Sequence, residues 1–197
     1  MENNNKENKS KENTSADDII KKHIQFSMVA GAIPVPLVDI AAVTAVQVDM
    51  LKQLAQEYKV DYSHEKGKSL VSSIMGAIIG SKLGKTGASL VKTIPGLGTI
   101  LGIGSQVLLS GASTYAIGKI FQNHFGSQGT LLDFSVEGTK KNFKELLDKG
   151  KNYVKKINNS DDDQMTISKL EELKKKKIIS EEEFEKIKKK IEEDKKS

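Results

Sequence analysis

A phosphate-binding loop is the first chemistry that the residue types suggest, because Gly80 to Thr86 have the sequence GSKLGKT. A P-loop needs four residues between its two glycines, so that successive backbone amides wrap around the phosphates. Here only three residues separate the glycines, and Ile79 occupies the position that the first glycine would need. No strand that ends in a magnesium-binding Asp follows. We therefore interpret Lys85 as a solvated lysine on a glycine-rich helix and predict no nucleotide site.

A second glycine pattern, formed by Gly96, Gly98 and Gly102, resembles a dinucleotide-binding turn but does not fit it. Its spacing is GxGxxxG, one residue longer than the dinucleotide fingerprint, and it follows Pro95 instead of a parallel strand. We interpret it as the bend between two apolar helices. The sequence therefore predicts no cofactor.

Catalytic and metal-binding side chains are sparse. His23, His64 and His124 lie far apart, and none has a carboxylate or another histidine three or four residues further on along an apolar face. The aspartates at 161–163 lack the loop glycine and distal glutamate of a calcium motif. The chain has no cysteine, which excludes disulfides, thiol chemistry and thiolate metal sites. We predict no metal site, no catalytic site and no small-molecule substrate, and therefore a protein that is not an enzyme.

The elements that carry these residues are predicted to be helices, since no alternating strand pattern occurs. Ser15 and Asp18 resemble a capping box that would start the first helix, and Pro34 and Pro36 should form an extended turn after it. We expect helices at about 15–32, 37–58, 63–91, 99–124 and 130–157. The sequence thus predicts an all-α fold, a glycine-rich helical bundle.

Glycines along the two central helices are expected to let helices approach each other closely. Gly76, Gly80 and Gly84 recur every four residues. This small-residue spacing supports close helix crossing in membranes, and it also allows tight packing in a soluble bundle. The pattern leaves these two environments open. The residues that we expect to pack helices or to contact a membrane are Gly76, Gly80, Gly84, Pro95, Gly98 and Gly102.

Apolar and basic segments favour contact with membrane lipid. Residues 93–118 form a run of 26 without a charge, long enough to cross a bilayer, although glycine and polar residues dilute its hydropathy. The basic helix near 140–157 should place Phe143, Leu146 and Val154 on one face and lysines on the other. That arrangement suits an anionic membrane surface. The alternative is a bundle helix whose lysines face water.

After a linker at 158–164, residues 165–197 are predicted to form a separate helical hairpin. Ser180 and Glu183 make a capping box for its second helix, and Ile179 and Phe184 occupy the two staple positions. So small an apolar set gives little stability to a hairpin on its own. The residues expected to contact a protein partner or a second copy of the chain are Ile179, Phe184, Ile187 and Ile191.

Two known families are similar to these segments. The stretch IPVPLVDIAAVTAVQVDMLKQLAQEY, followed by TIPGLGTILG and ASTYAIGKIF, resembles the bacterial domain-of-unknown-function family 697 across about residues 17–126. This resemblance implies a helical protein, often associated with a GTPase domain or with membrane helices. The tail sequence LEELKKKKIISEEEFEKIKKKI resembles the short C-terminal (SHOCT) domain at about residues 165–192, with Lys177 in place of its usual glycine. That resemblance implies an interaction or oligomerisation module.

The charge of the chain argues against nucleic acid as a partner. The formal net charge is +5, but all 31 basic residues are lysines. Arginine, which is absent, is the residue that dominates base readout and bidentate phosphate recognition. Residues 1–14 are polar throughout, which predicts disorder and leaves no apolar segment for a signal peptide. We therefore expect a cytoplasmic origin.

These observations predict four regions: a disordered tail at 1–14, a glycine-rich helical domain at 15–157, a linker at 158–164 and a hairpin at 165–197. The favoured function is a non-enzymatic, membrane-associated protein whose hairpin faces the cytoplasm and binds a protein partner or a second copy. The alternative is a soluble cytoplasmic helical adaptor that serves a separate GTPase or stress-response partner.

Overall fold

All regular elements in the described residues are α-helices, which confirms the predicted all-α class. The structure is a computed structural model and describes residues 2–31, 38–83, 102–158 and 163–194. Its helices are α1 (Glu2–Gly31), α2 (Val38–Glu57), α3 (His64–Leu83), α4 (Gly102–Gly126), α5 (Val136–Asn158), α6 (Asp163–Lys175) and α7 (Glu181–Asp194). The predicted proline turn at 33–36 and the predicted break at Pro95 lie outside the described residues.

Helix α1 begins at Glu2, so it includes the segment up to residue 14 that we expected to be disordered. No glycine or proline interrupts the sequence between Glu2 and Ala30, and the Glu and Lys residues there are good helix formers. Ser15 therefore lies inside α1 and does not cap it. Ile20 and Ile24, one turn apart, are both buried against the other helices.

Helix α4 packs against α1, α2 and α5, while α3 packs against α2 and α5. Aromatic contacts hold part of their shared core together. Phe121 is fully buried, and its ring lies 4.4 Å from that of Phe134 and 5.6 Å from that of Phe125. Burial of a side chain of this size stabilises a fold by about 1.5–3 kcal/mol. Other fully buried members of this core are Ala16, Ile24, Met50, Leu51, Leu54, Ala55, Val71, Ala116 and Ile117.

Helices cross closely at Gly118 of α4 and Gly150 of α5. A Cβ atom added to Gly118 would lie 2.8 Å from Cγ1 of Ile20 in α1. One added to Gly150 would lie 2.7 Å from the carbonyl oxygen and 3.0 Å from the Cα atom of Ala112. Helices α4 and α5 therefore meet backbone to backbone, in a space that only glycine fits.

The predicted glycine stripe on α3 does not make such a crossing at the position that can be judged. Gly76 is exposed, and a Cβ atom added there would meet nothing within 4 Å. Small-residue spacing defines a face that another helix can approach, but it does not say which helix uses it. Gly80 lies within α3 and Gly102 begins α4, but the surroundings of these two glycines are not among the described features. Gly84, Pro95 and Gly98 lie outside the described residues.

Helix α5 has the amphipathic character that we predicted, and its apolar face points into the bundle. Phe143 and Val154 are buried in the core, while Lys144, Lys155 and Lys156 are exposed. The face that we considered for membrane contact is thus occupied by contacts within the chain. This arrangement corresponds to the alternative of a bundle helix whose lysines face water.

The connection between α6 and α7 is a tight turn fixed by backbone and capping hydrogen bonds. Lys177 has a φ angle of 55°, and the Ile178 amide donates to the Leu173 carbonyl at 3.0 Å, as in a Schellman motif. A lysine here adopts the left-handed conformation that glycine usually supplies. The predicted capping box starts α7: Ser180 Oγ accepts the Glu183 amide at 3.2 Å, and Glu183 Oε2 accepts the Ser180 amide at 2.6 Å.

Helices α6 and α7 pack on α1 and α2, whereas we expected a separate hairpin. Phe184 and Ile187 of α7 share a buried cluster with Phe26 of α1. An ion pair of 2.9 Å between Lys22 and Glu172 joins α1 to α6 at the surface. The remaining members of this second cluster are Val29, Ala30, Ala42, Val43, Val46, Leu170, Leu173 and Ile179. The apolar stripe of the hairpin therefore covers an apolar face that α1 and α2 leave open.

Candidate functional site: a lysine-lined cleft beside Asp49

Asp49 is the centre of a polar cluster that joins three parts of the chain. Its Oδ2 atom lies 3.1 Å from Nε2 of His23 in α1 and accepts hydrogen bonds from Gln53 at 3.0 Å and from Lys176 at 2.5 Å. Asp49 and Gln53 are one turn apart on α2, and Lys176 follows the last residue of α6. A single carboxylate thus ties α1 and α2 to the turn between α6 and α7.

His23 is fully buried, and its two ring nitrogens have different partners. Nδ1 lies 2.7 Å from the Ile19 carbonyl oxygen, which can only accept, so Nδ1 carries a proton. Nε2 faces both the Asp49 carboxylate and the Gln53 amide nitrogen, the latter at 3.3 Å. Its role as donor or acceptor depends on the protonation of the ring.

The surroundings of Asp49 keep it ionised. Burial alone would raise the pKa of Asp49, but its hydrogen-bond contact with His23, the hydrogen bond from Lys176 and the positive charge of Lys176 hold that pKa well below its usual range. Asp49 is therefore a carboxylate at neutral pH, and its charge is already balanced by its neighbours. A group in that state stabilises contacts and is a poor general base.

A cleft of about 580 Å³ opens next to this cluster, between α2, the start of α3 and the turn after α6. Its lining combines lysines, small or apolar side chains and the Tyr62 hydroxyl. Lys52, Lys68 and Lys177 are exposed there, and their side chains make no ion pair or hydrogen bond within the described residues. The lining consists of Ala41, Thr44, Ala45, Val48, Asp49, Lys52, Tyr62, His64, Lys68, Lys176, Lys177 and Ile178.

A second buried polar cluster joins α1, α2 and α4 and contains only amide and hydroxyl groups. Gln47 Nε2 donates to Ser113 Oγ at 3.2 Å and to Thr114 Oγ1 at 3.1 Å, and the Thr114 and Ser27 hydroxyls are 2.7 Å apart. Gln47 Oε1 is buried and has no hydrogen-bond partner in the part of the chain that is described. Among the described side chains, no base contacts these hydroxyls, so the contacts seen here fix the helices relative to one another.

The three histidines occupy three separate places. His23 lies in the Asp49 cluster, and His64 lines the cleft. His124 Nε2 lies 2.9 Å from the Thr130 carbonyl oxygen and 3.5 Å from Asp133 Oδ1, contacts that close the loop between α4 and α5. Within the described residues, no group of three or more His, Cys, Asp or Glu side chains is placed to hold a metal ion.

The residues that we predicted to bind a partner lie against the chain itself. Ile179, Phe184 and Ile187 are 3%, 5% and 2% exposed, so they reach a partner only if α6 and α7 leave α1 and α2. The surroundings of Ile191 are outside the description. The role of Asp49 was not predicted from the sequence. A lone Asp among apolar residues was the available signal, because a buried carboxylate needs partners.

The uncharged segment at 93–118 is described from Gly102 onward, and its last part lies inside the bundle. Ala112, Ala116 and Ile117 are fully buried, whereas Leu109 is 40% exposed. Across the described helices, none combines the length and the apolar character that a membrane span requires.

Comparison with known proteins identifies the family. The sequence matches the family described as "Domain of unknown function (DUF697)" over residues 2–152, which include α1 to α4 and most of α5. Magnetosome membrane protein 22 of Magnetospirillum gryphiswaldense is 36% identical over 143 residues, which cover 72% of this chain and 73% of that protein. No solved structure matches the chain. The chain therefore belongs to the DUF697 family.

Proposed function

We propose that this chain is a non-enzymatic helical protein that associates with a membrane. The observation that carries the proposal is its 36% identity to a protein described as a magnetosome membrane protein, over about three quarters of both chains. The location of that relative is the best guide to the location of this chain.

The polar chemistry of the described residues supports a role without catalysis. Asp49 is ionised and its Oδ2 atom already has three polar partners, and the buried hydroxyls of Ser113 and Thr114 contact neutral groups. A hydrolase or transferase would need a nucleophile with an adjacent base.

We assign the bilayer contact to residues 93–105, the part of the uncharged segment that precedes the packed portion of α4. From Gln106 onward, α4 packs against the bundle: Gln106 and Ser110 lie against Gly31 of α1, and Val107 and Leu108 contact the core. Within this packed portion, Leu109 is 40% exposed.

The hairpin of α6 and α7 is proposed to be an association module that works by exchange. Its apolar residues fill the face of α1 and α2 within one chain, and the same contacts can form between two chains when each hairpin crosses to the other copy. Exchange of an element between protomers needs no new interface, since the native contacts are reused.

The alternative is a soluble cytoplasmic adaptor that serves a separate GTPase. The observation in its favour is that the apolar faces of α5 and of the hairpin already pack against other helices of the same chain.

Fractionation of native cells tests the two functions. We expect the protein in the membrane pellet, and retention after high-salt and carbonate washing would mean insertion. Release by salt alone would mean surface binding through the lysines. A protein found wholly in the soluble fraction would contradict membrane association and favour the adaptor.

A further inference from the structure

The cleft beside Asp49 carries positive charge that nothing in its lining balances. Its one carboxylate, Asp49, already accepts hydrogen bonds from Lys176 and Gln53. Lys52, Lys68 and Lys177 surround the opening with their side chains unpaired in the residues that the structure describes. Like charges held together in one cleft attract an anion that can contact more than one of them.

The shape and polarity of the cleft suit a ligand with two different parts. A volume of about 580 Å³ falls within the range of small-molecule sites, about 300–1,000 Å³. Ala41, Ala45 and Val48 on α2 give it an apolar wall, while the lysines give it a cationic rim. Burial and the nearby Asp49 carboxylate raise the pKa of Tyr62, so the phenol stays protonated, and it donates its hydrogen bond to the Val48 carbonyl oxygen at 3.4 Å.

We infer that this cleft binds a phosphate group that is attached to an apolar moiety. Lysine ammonium groups bind phosphate as point charges without the planar fork of arginine, and this chain has no arginine. A phospholipid headgroup and a free phosphate ester share this chemistry. The lipid form of the inference rests on the proposed membrane association.

Ligand binding at this place would also tighten the hairpin, because Lys176, Lys177 and Ile178 belong to the turn after α6. The other walls belong to α2 and to the start of α3, so a bound phosphate bridges the hairpin and the bundle. A ligand that binds only this closed arrangement stabilises it in proportion to its concentration.

The test uses the full chain, two phosphate probes and two double variants. The first probe is inorganic pyrophosphate, whose binding is measured by changes in amide chemical shifts. The second is phosphatidylcholine vesicles that contain phosphatidic acid, whose binding is measured by flotation. The cleft variant is Lys52→Ala/Lys68→Ala. The control variant is Lys155→Ala/Lys156→Ala, which removes the same charge from exposed lysines of α5. Thermal unfolding of both variants should match that of the parent, since exposed helical Lys→Ala changes are mild.

We expect the cleft variant to bind each probe about 30-fold more weakly than the parent, because each of the two lost lysines contributes about 1 kcal/mol. The control should bind pyrophosphate like the parent. Pyrophosphate binding without vesicle binding would support a free phosphate ester as the ligand and would count against the lipid form and membrane association.

Two results would overturn the inference. Vesicle binding that both double variants weaken equally would mean a diffuse charge effect, with membrane association left intact. Binding of neither probe by the parent chain would remove the phosphate site altogether, and the location of the protein would then be decided by cell fractionation alone.

Discussion

Lys176 donates a hydrogen bond to Asp49 over 2.5 Å and so connects two residues that are 127 positions apart in the sequence. About three quarters of each side chain is shielded from solvent. The contact holds the turn after α6 onto the middle of α2, beside the buried ring of His23. It is the polar counterpart of the apolar cluster that fixes the hairpin on α1 and α2.

Replacing Lys176 with Met is expected to lower the free energy of unfolding of the whole chain. The change keeps most of the side-chain bulk and removes the ammonium group, and hydrogen bonds to charged groups contribute about 1.5–3 kcal/mol. We expect the free energy of unfolding to fall by an amount near the lower end of this range, since both groups are partly exposed. Urea unfolding measures this change. Lys175→Met, one position earlier and exposed, is the control, and equal losses in the two variants would show that the contact with Asp49 adds nothing.

The low pKa of Asp49 predicts a specific dependence of stability on pH. Because the folded pKa lies below the unfolded value of about 3.9, the contribution of Asp49 is complete above about pH 4–5 and is lost as the pH falls toward the folded pKa. Asp49→Asn should therefore be less stable than the parent at neutral pH and show a flatter decline between about pH 5 and pH 3. His23 and Lys176 are the charged or titratable groups in contact with the carboxylate.

Melting temperatures across that pH range test the expectation. Asp61→Asn, at an exposed position, provides the control and should follow the parent curve. Parallel curves for Asp49→Asn and the parent would contradict a role for Asp49 in acid stability.

Glycine-to-alanine changes should have opposite effects on α5 and α3. The Cβ atom of Gly150→Ala would lie 2.7 Å from the Ala112 carbonyl oxygen, a backbone atom that yields only if α4 and α5 move apart. We expect a loss of about 1–3 kcal/mol, as for overpacking. Gly76→Ala meets open space and gains helix propensity, so it should add up to about 1 kcal/mol. Urea unfolding of both variants decides; a destabilised Gly76→Ala would mean that α3 is packed closely there.

These two glycines show which features of the fold could be predicted from the sequence and which could not. The pattern predicted helices and the Ser180 capping box correctly, because those features depend on residues close together in the chain. It predicted close packing along a stripe that begins at Gly76, but Gly76 itself is exposed, and close crossings occur at Gly118 and Gly150. Which face meets which depends on the packing of whole helices. No local pattern encodes that choice.

The Asp49 cluster could not be predicted from the sequence, for the same reason. His23, Asp49 and Lys176 belong to three separate elements, and each has an ordinary surface interpretation when taken alone. Their contact follows from the docking of the hairpin, which was expected to stand apart. The apolar residues of the hairpin could be named from the sequence, but the α1–α2 face that they contact within the chain could not.

Exchange of the hairpin between copies can be detected by a single pair of introduced thiols. The parent chain has no cysteine, and Lys22 and Glu172 form a 2.9 Å ion pair between α1 and α6. In the variant Lys22→Cys/Glu172→Cys, a short bismaleimide should link the two sites within one chain when the hairpin is closed on its own bundle. In an exchanged dimer, it should link two chains.

We expect a monomer band from dilute protein on denaturing gels, and a dimer band that grows when the chain is concentrated before cross-linking. Lys22→Cys/Lys186→Cys, with the second thiol on an exposed position of α7, controls for random collisions. A monomer band alone at every concentration would show that the hairpin serves only its own chain and would remove its proposed role in association.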